Sequence, residues 1–163
     1  MSQRRALLFV SLVSLTIGCD HATKVAATTL LEPSSVLSVA ADAVRIELAY
    51  NPGAFMSLGA DLPAPLRIPL LLVLMPLAAL AASVLALRSG SSRTLSLVAG
   101  ALLAGGGLSN WVDRLVHDGI VIDFVSVGIG WFRTGIFNLA DLAVIVGILL
   151  LIAPHSKHHL RTA

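Results

Sequence analysis

The sequence predicts an all-α membrane protein: four transmembrane helices with a small outward-facing β-sheet resting on the membrane surface. Three observations carry that reading. Only 12% of the 163 residues are charged and 56% are hydrophobic, against about 25% charged in a soluble domain. The mean hydropathy is +0.90. Four apolar runs approach the roughly 20 residues that a helix needs to cross a bilayer. This composition excludes a disordered chain, a nucleic-acid module and an ordinary cytosolic enzyme. The length suits one integral membrane domain over 1–163, and a net charge of +2 implies no nucleic-acid partner. One cysteine, Cys19, excludes an intramolecular disulfide and a cysteine-rich metal site.

The elements follow in order. The first span covers about 6–31 and is uncharged to Cys19, after which Asp20 and Lys24 interrupt it. Arg4-Arg5, an apolar run and Gly18-Cys19 have the form of a bacterial lipoprotein signal. Thr16 fits that form poorly and three more spans follow, so the segment reads as a plain membrane helix. The outer segment, about 32–66, holds two short strands, Val36-Leu37-Ser38-Val39 and Val44-Arg45-Ile46-Glu47-Leu48. The second strand alternates apolar and charged residues. Asn51-Pro52-Gly53 then marks a turn. The second span, about 68–87, carries no charge; Pro69 is tolerated at its start and Pro76 predicts a kink. The third, about 94–112, is rich in Gly and Ala. The fourth, about 136–153, is apolar except for Asn138 and Asp141. These are continuous apolar runs, not the alternation of a membrane barrel.

Basic residues set the orientation. Arg4 and Arg5, Arg88 and Arg93, and Lys157 and Arg161 fall on one side, so both termini are expected in the cytoplasm. Arg45, Arg67, Arg114 and Arg133 lie opposite, which makes the bias modest. Glu32, Asp42, Glu47, Asp61, Asp118 and Asp123 all fall in the two outer segments.

Charged groups at membrane depth cost about 3 kcal/mol each on insertion scales. Asp20 and Lys24 are four residues apart, share a helix face and offset each other. They read as an intrahelical pair that tunes depth or packs against a neighbour. Asp141 has no Lys or Arg within a turn, and Asn138 lies one turn earlier on its face. A protonated carboxyl bonded to a backbone carbonyl would explain it structurally, but intramembrane acids more often mark active sites or pathways.

The third span ends in Gly105-Gly106-Gly107-Leu108-Ser109-Asn110-Trp111-Val112-Asp113-Arg114. Three consecutive glycines are costly in a helix, which points to close backbone approach. Asp123 ends the apolar run Ile120-Val121-Ile122, which reads as a strand or a membrane-hugging turn. If that segment folds back over the helix ends, Asp123 meets Asp141 at the outer boundary. Two carboxyls in one desolvated site cannot both ionise, so one serves as base on a water and the other as acid to a scissile carbonyl. That chemistry requires no metal and no cofactor.

These motifs, in this order, resemble the signal peptidase II family of bacterial inner membranes. Asp20-His21-Ala22-Thr23-Lys24, Asn51-Pro52-Gly53-Ala54, Gly105-Gly106 through Asn110 with Asp113-Arg114, Val121-Ile122-Asp123-Phe124 and Phe137-Asn138-Leu139-Ala140-Asp141 carry the likeness. The resemblance implies an intramembrane aspartyl endopeptidase, acting near the outer face of the cell inner membrane. It implies removal of signal peptides from diacylglyceryl-modified prolipoproteins, just before the lipid-carrying cysteine. It also implies Asp123 and Asp141 as the catalytic pair. Asn51, Gly53, Asn110, Arg114, Asn138 and Ala140 match positions that bind substrate or support the pair. Asp20 and Lys24 match supporting positions, and Asp113 matches a supporting acid that is the best rival to Asp123. Three positions depart from the family pattern: Ser109 for the usual Gly, Phe55-Met56-Ser57 for the usual Ala-Phe-Ser, and one extra residue in His117-Asp118-Gly119.

Partners on this reading are prolipoproteins and membrane lipid, with a monomer expected. A small proton or ion carrier is the alternative, as is a non-catalytic prolipoprotein-binding paralogue. A carrier would need polar groups along a path to the cytoplasm. The second span and the cytoplasmic half of the fourth offer none. His155-Ser156-Lys157-His158-His159 reads as a solvated basic tail, not a metal site.

Overall fold

A computed structural model describes residues 2–32, 34–88 and 93–152. Lys157, Arg161, the histidine tail and the last residue of the fourth expected span lie outside the described residues.

Four helices and a four-stranded antiparallel sheet make up the fold. They are α1 (Gln3–Leu30), α2 (Ala64–Arg88), α3 (Arg93–Val116) and α4 (Leu139–Ile152). The strands are β1 (Val36–Val39), β2 (Val44–Asn51), β3 (Val121–Ile129) and β4 (Phe132–Arg133), in the spatial order β1-β2-β3-β4. Three helices, α1, α2 and α3, are long and apolar enough to cross a membrane, and α4 is a shorter apolar helix of 14 residues. Among the described residues, buried polar and charged side chains outnumber buried apolar ones, while large hydrophobic side chains line the exterior. That inversion of the soluble pattern belongs to a multi-pass membrane protein.

α3 is the central helix, and its glycine run explains why. A Cβ at Gly105 would stand 2.7 Å from Thr16 Cβ of α1; one at Gly106, 2.5 Å from the Ala140 carbonyl oxygen of α4; one at Gly107, 2.5 Å from Ala79 Cβ of α2. Successive residues turn by about 100°, so three adjacent glycines admit three different helices. α1 docks differently. Its buried residues are Asp20, Lys24 and Ala27, and its apolar surface faces outward.

The proline expectations are corrected: α2 begins at Ala64, so Pro69 lies inside the helix and Pro65 takes the place at its start. α2 contains a wide turn over Leu70–Leu74, where the Met75 N–H reaches the Leu70 carbonyl, just before Pro76. Pro76 lacks the N–H that would bond the Leu72 carbonyl one turn earlier. The indole N–H of Trp111 on α3 donates to that carbonyl at 2.9 Å. The Leu72 carbonyl is thereby satisfied.

The expected strands at 36–39 and 44–48 form, and β2 extends to Asn51. β3 pairs with β2, placing Ala49 opposite Asp123 and Asn51 opposite Val121. A register shift between Ile46 and Ala49 bends the ladder there. Four helix boundaries differ from expectation. α1 begins at Gln3 and α2 at Ala64, three and four residues early. α3 continues a turn past the expected end, so Asn110, Asp113 and Arg114 lie on a regular helical face. α4 begins three residues late because Asn138 caps it.

Candidate active site

Five segments bring their polar residues to one buried cluster: α1, the end of β2, the last turns of α3, the start of β3 and the first turn of α4. Asp20 and Lys24 do form the expected pair, with Nζ 2.6 Å from Asp20 Oδ2. The ammonium also lies 2.7 Å from Asp113 Oδ2 and 3.0 Å from Asn110 Oδ1. Its three donors thus meet three acceptors, as a buried lysine requires. Asp20 further accepts Ser109 Oγ at 2.7 Å and the Ala140 backbone N–H at 2.8 Å. Asp113 accepts the Ile122 N–H at 3.3 Å, and His21 Nδ1 stands 3.6 Å from its other oxygen. The pair packs against its neighbours, joining α1 to α3 and α4, and Asp113 extends the cluster to β3.

A lysine ammonium only donates, so the oxygen of Asn110 must face Lys24 and its amide nitrogen must face away. That nitrogen donates to Asp141 Oδ1 at 2.8 Å. The Asn138 amide donates to Asn110 Oδ1 at 3.0 Å, to Ile122 O at 3.3 Å and to Asp123 Oδ1 at 2.6 Å. Its side-chain oxygen accepts the Asp141 N–H at 2.9 Å, and Asp141 Oδ2 accepts the Asn138 N–H at 3.4 Å. This reciprocal cap closes the start of α4 and seats an acid at a helix N-terminus, where negative charge is favoured.

Asn51 completes the shell. Its amide donates to Asp123 Oδ2 at 2.8 Å and to the Ala54 carbonyl at 2.9 Å, and its oxygen accepts the Gly53 N–H at 2.8 Å. Gly53 cannot be larger, since a Cβ there would lie 2.7 Å from the Leu58 carbonyl oxygen. Arg114 donates to the Gly53 and Asn110 carbonyls at 2.8 and 3.0 Å, while its buried Nε has no partner among the described residues. Each carboxylate oxygen of Asp123 and Asp141 therefore accepts a hydrogen bond, and Asn138 is common to both residues.

Asp123 is 1% exposed. Burial pushes its carboxyl up to about 7, and the nearby charge of Asp141 adds to the rise. The hydrogen bonds from Asn51 and Asn138 and the charge of Lys24 oppose it. A carboxyl so placed exchanges a proton near neutral pH.

A cavity of about 470 Å³ runs from this cluster along the bundle. Asn110, Arg114 and Asp141 stand at its polar end; Met75 and Ala79 of α2, Leu103 of α3 and Val144 and Ile148 of α4 line the apolar remainder. An apolar cleft with a few convergent polar groups is the usual form of a small-ligand or peptide site.

All eleven site residues expected from the sequence come together here, Ala140 and Gly53 through their backbones. Ser109 and His21 were not expected among them. Ser109, a departure from the family's glycine, bonds Asp20 through its hydroxyl; the signal was a hydroxyl one helical turn from other polar residues on α3. Among the described residues, no three His, Cys, Asp or Glu side chains group to hold a metal ion.

Residues 12–156 match the family described as signal peptidase (SPase) II. The lipoprotein signal peptidase of Rhodococcus jostii (strain RHA1) is 35% identical over 155 residues, covering 92% of this chain and 72% of that protein. That of Aquifex aeolicus (strain VF5) is 42% identical over 105 residues, 64% of this chain; the match spans 61% of that relative's length. A solved bacterial membrane enzyme superposes with a TM-score of 0.74 at 24% identity, covering 89% of this chain and 85% of that one. At that identity the likeness is one of fold.

Proposed function

The chain belongs to the signal peptidase II family, a family of proteases, and from that premise we propose an intramembrane aspartyl endopeptidase with Asp123 and Asp141 as its catalytic pair. The substrate is a diacylglyceryl-modified prolipoprotein, cut just before the lipid-bearing cysteine. The observation that carries the reading is the pairing of two buried carboxyls through one residue, Asn138, with one of them, Asp141, lining the polar end of an apolar cleft.

The chemistry follows from two carboxyls that share a site. One is ionised and takes a proton from a water, whose oxygen attacks the scissile carbonyl carbon. The other is protonated and gives its proton to the carbonyl oxygen. Collapse of the resulting diol breaks the C–N bond: the leaving amine takes a proton from the carboxyl that had served as base, and one diol hydroxyl returns its proton to the other carboxylate as the C=O bond re-forms. Asn51, Asn110 and Asn138 hold the carboxyls without supplying charge, which leaves the pair free to exchange one proton. Arg114, whose Nε–H has no partner among the described residues, suits a carbonyl of the bound peptide backbone. The apolar cleft suits the hydrophobic stretch of a signal peptide, and the edge of the outer sheet suits an extended segment.

The same reading puts α4 across the membrane with the other three helices. It puts both termini in the cytoplasm of a bacterial inner membrane and the site near the outer face. The chain acts as a single domain and a monomer, with the sheet resting on the bilayer surface.

The test is cleavage of a diacylglyceryl-modified prolipoprotein by the purified full chain in micelles, read by mass. The expected products are the free signal peptide and a protein beginning at the modified cysteine. Absence of cleavage at every pH from about 5 to 8 would overturn the proposal.

A further inference from the structure

The peptide unit just before Asp141 is held from two sides. Ala140 is fully buried. Its N–H donates to Asp20 Oδ1 of α1 at 2.8 Å. Its carbonyl oxygen lies so close to Gly106 of α3 that a Cβ there would stand 2.5 Å away. The first N–H groups of a helix have no partners within it. At α4, Asn138 accepts that of Asp141, and Asp20 accepts that of Ala140. The second cap comes from a different helix, 120 residues away in the chain.

That cap works only while the Asp20 carboxylate keeps its orientation. Its other oxygen, Oδ2, meets Lys24 Nζ at 2.6 Å and accepts the Ser109 hydroxyl at 2.7 Å. Lys24 ends a flexible four-carbon stem, and its ammonium also lies 2.7 Å from Asp113 and 3.0 Å from Asn110. Ser109 is short, fully buried and fixed to a regular stretch of α3. The hydroxyl therefore sets the plane of the carboxylate. A carboxylate turned about its Cβ–Cγ bond would carry Oδ1 off the Ala140 N–H. The next residue of α3, Asn110, donates to the Asp141 carboxyl at 2.8 Å. Two consecutive residues of α3 thus reach one turn of α4, Asn110 at the acid and Ser109, by way of Asp20, at the amide before it.

We propose that Ser109 is a positioning residue for Asp141, acting through the hold of Asp20 on the Ala140 N–H. The proposal rests on the peptidase reading, in which Asp141 is one of two carboxyls that share a proton. Such a pair titrates in two steps, and their separation grows with the coupling between the groups. The width of the pH–rate profile then reports how firmly Asp141 is held against Asp123. Loss of folded protein alone lowers the profile without changing its width. The charged groups that face Asp141, namely Asp123, Arg114, Lys24 and Asp20, all remain in Ser109→Ala. A change of width in that variant is therefore a change of position.

The test compares pH–rate profiles of the purified full chain on a diacylglyceryl-modified prolipoprotein, with rates normalised to folded protein. The variants are Ser109→Ala, Asp20→Asn and the two combined. Ser109→Ala is expected to lose about ten-fold in kcat with KM unchanged, and its profile is expected to narrow. In the Asp20→Asn background the same substitution is expected to cost nothing further, since coupled residues are not additive. Wild-type kcat and width in folded Ser109→Ala would overturn the proposal, as would an equal loss in both backgrounds. If Asp20→Asn does not fold, the Ser109→Ala profile decides alone. A second readout does not depend on cleavage: amide hydrogen exchange of Ala140 relative to Ala143 of the same helix. Ser109→Ala is expected to speed Ala140 about ten-fold more than Ala143, whereas general destabilisation speeds both alike and would overturn the proposal. Absence of cleavage by wild type would sink the peptidase reading, and the exchange ratio would still show whether Ser109 holds the start of α4.

Discussion

Asn138 holds Asp123 by a 2.6 Å hydrogen bond from its side-chain amide, across the gap between the cap of α4 and the start of β3. The same side chain accepts the N–H of Asp141 at 2.9 Å. One residue thus performs a structural task, ending a helix, and a chemical one, setting two carboxyls in register. The tasks separate by substitution. Asn138→Ser keeps a capping oxygen and loses the amide donor; Asn138→Ala loses both. Denaturation is expected to show Asn138→Ala destabilised by about 1 kcal/mol, with Asn138→Ser closer to wild type. Turnover is expected to fall at least about ten-fold in both, as a lost charge-assisted bond implies.

Lys24 bridges two buried acids on different helices, Asp20 and Asp113. Lys24→Met leaves both carboxylates without their cation, an arrangement that costs about 3–5 kcal/mol. Asp113→Asn leaves Lys24 paired with Asp20 and costs less. Midpoints of chemical denaturation are expected to fall in that order, and equal midpoints would mean that the three charges do not act as one unit.

Ser109 donates to Asp20 Oδ2 at 2.7 Å in a fully buried position. Removing the hydroxyl in Ser109→Ala leaves a carboxylate oxygen with Lys24 alone. A loss of about 1.5–3 kcal/mol is expected, measured by the same denaturation. No loss would mean that the hydroxyl does not support Asp20.

Asn51 favours the charged form of Asp123 by donating to it, against the burial that favours the neutral form. Asn51→Ala removes that donor, so the Asp123 carboxyl rises above its present value of about 7. The limb of the pH–rate profile that reports Asp123 is expected to move to higher pH. A shift downward would contradict the assignment.

Stability carries the same sign. The folded chain holds a proton on Asp123 up to about pH 7, whereas the unfolded chain releases it near 4. The contribution of this proton is full below about 4 and is lost as pH rises through about 7. Asp123→Asn cannot ionise, so its stability relative to wild type is expected to rise from pH 5 to pH 8. Each 1 kcal/mol gained appears as about 2–4 °C in Tm.

Much of this fold was legible in the sequence because membrane spans are long, uncharged and strongly marked. The strands at 36–39 and 44–48 were legible from alternation, and Asp20 with Lys24 from a spacing of four. The partners of those residues were not. Lys24 meets Asp113 and Asn110 across most of the chain, and no local pattern encodes a contact set by helix packing. Pro76 announced a break in the helix hydrogen bonding, yet nothing near it pointed to Trp111 as the donor that satisfies the Leu72 carbonyl. The β3–β4 hairpin escaped notice because β4 is two residues long and its apolar tip does not alternate. Asp123 and Asp141 could be named as a pair only on condition that β3 folds back, a condition the Val125–Phe137 bridge fulfils.

The most direct measurement is cleavage of a diacylglyceryl-modified prolipoprotein by wild type, Asp123→Asn, Asp141→Asn and Asp113→Asn, with helical content checked in each. The expected result is loss of at least about a thousand-fold in turnover for the first two substitutions in folded protein, and residual turnover in Asp113→Asn. Full activity in folded Asp123→Asn with loss in Asp113→Asn would contradict the pairing of Asp123 with Asp141 and move the chemistry to Asp113.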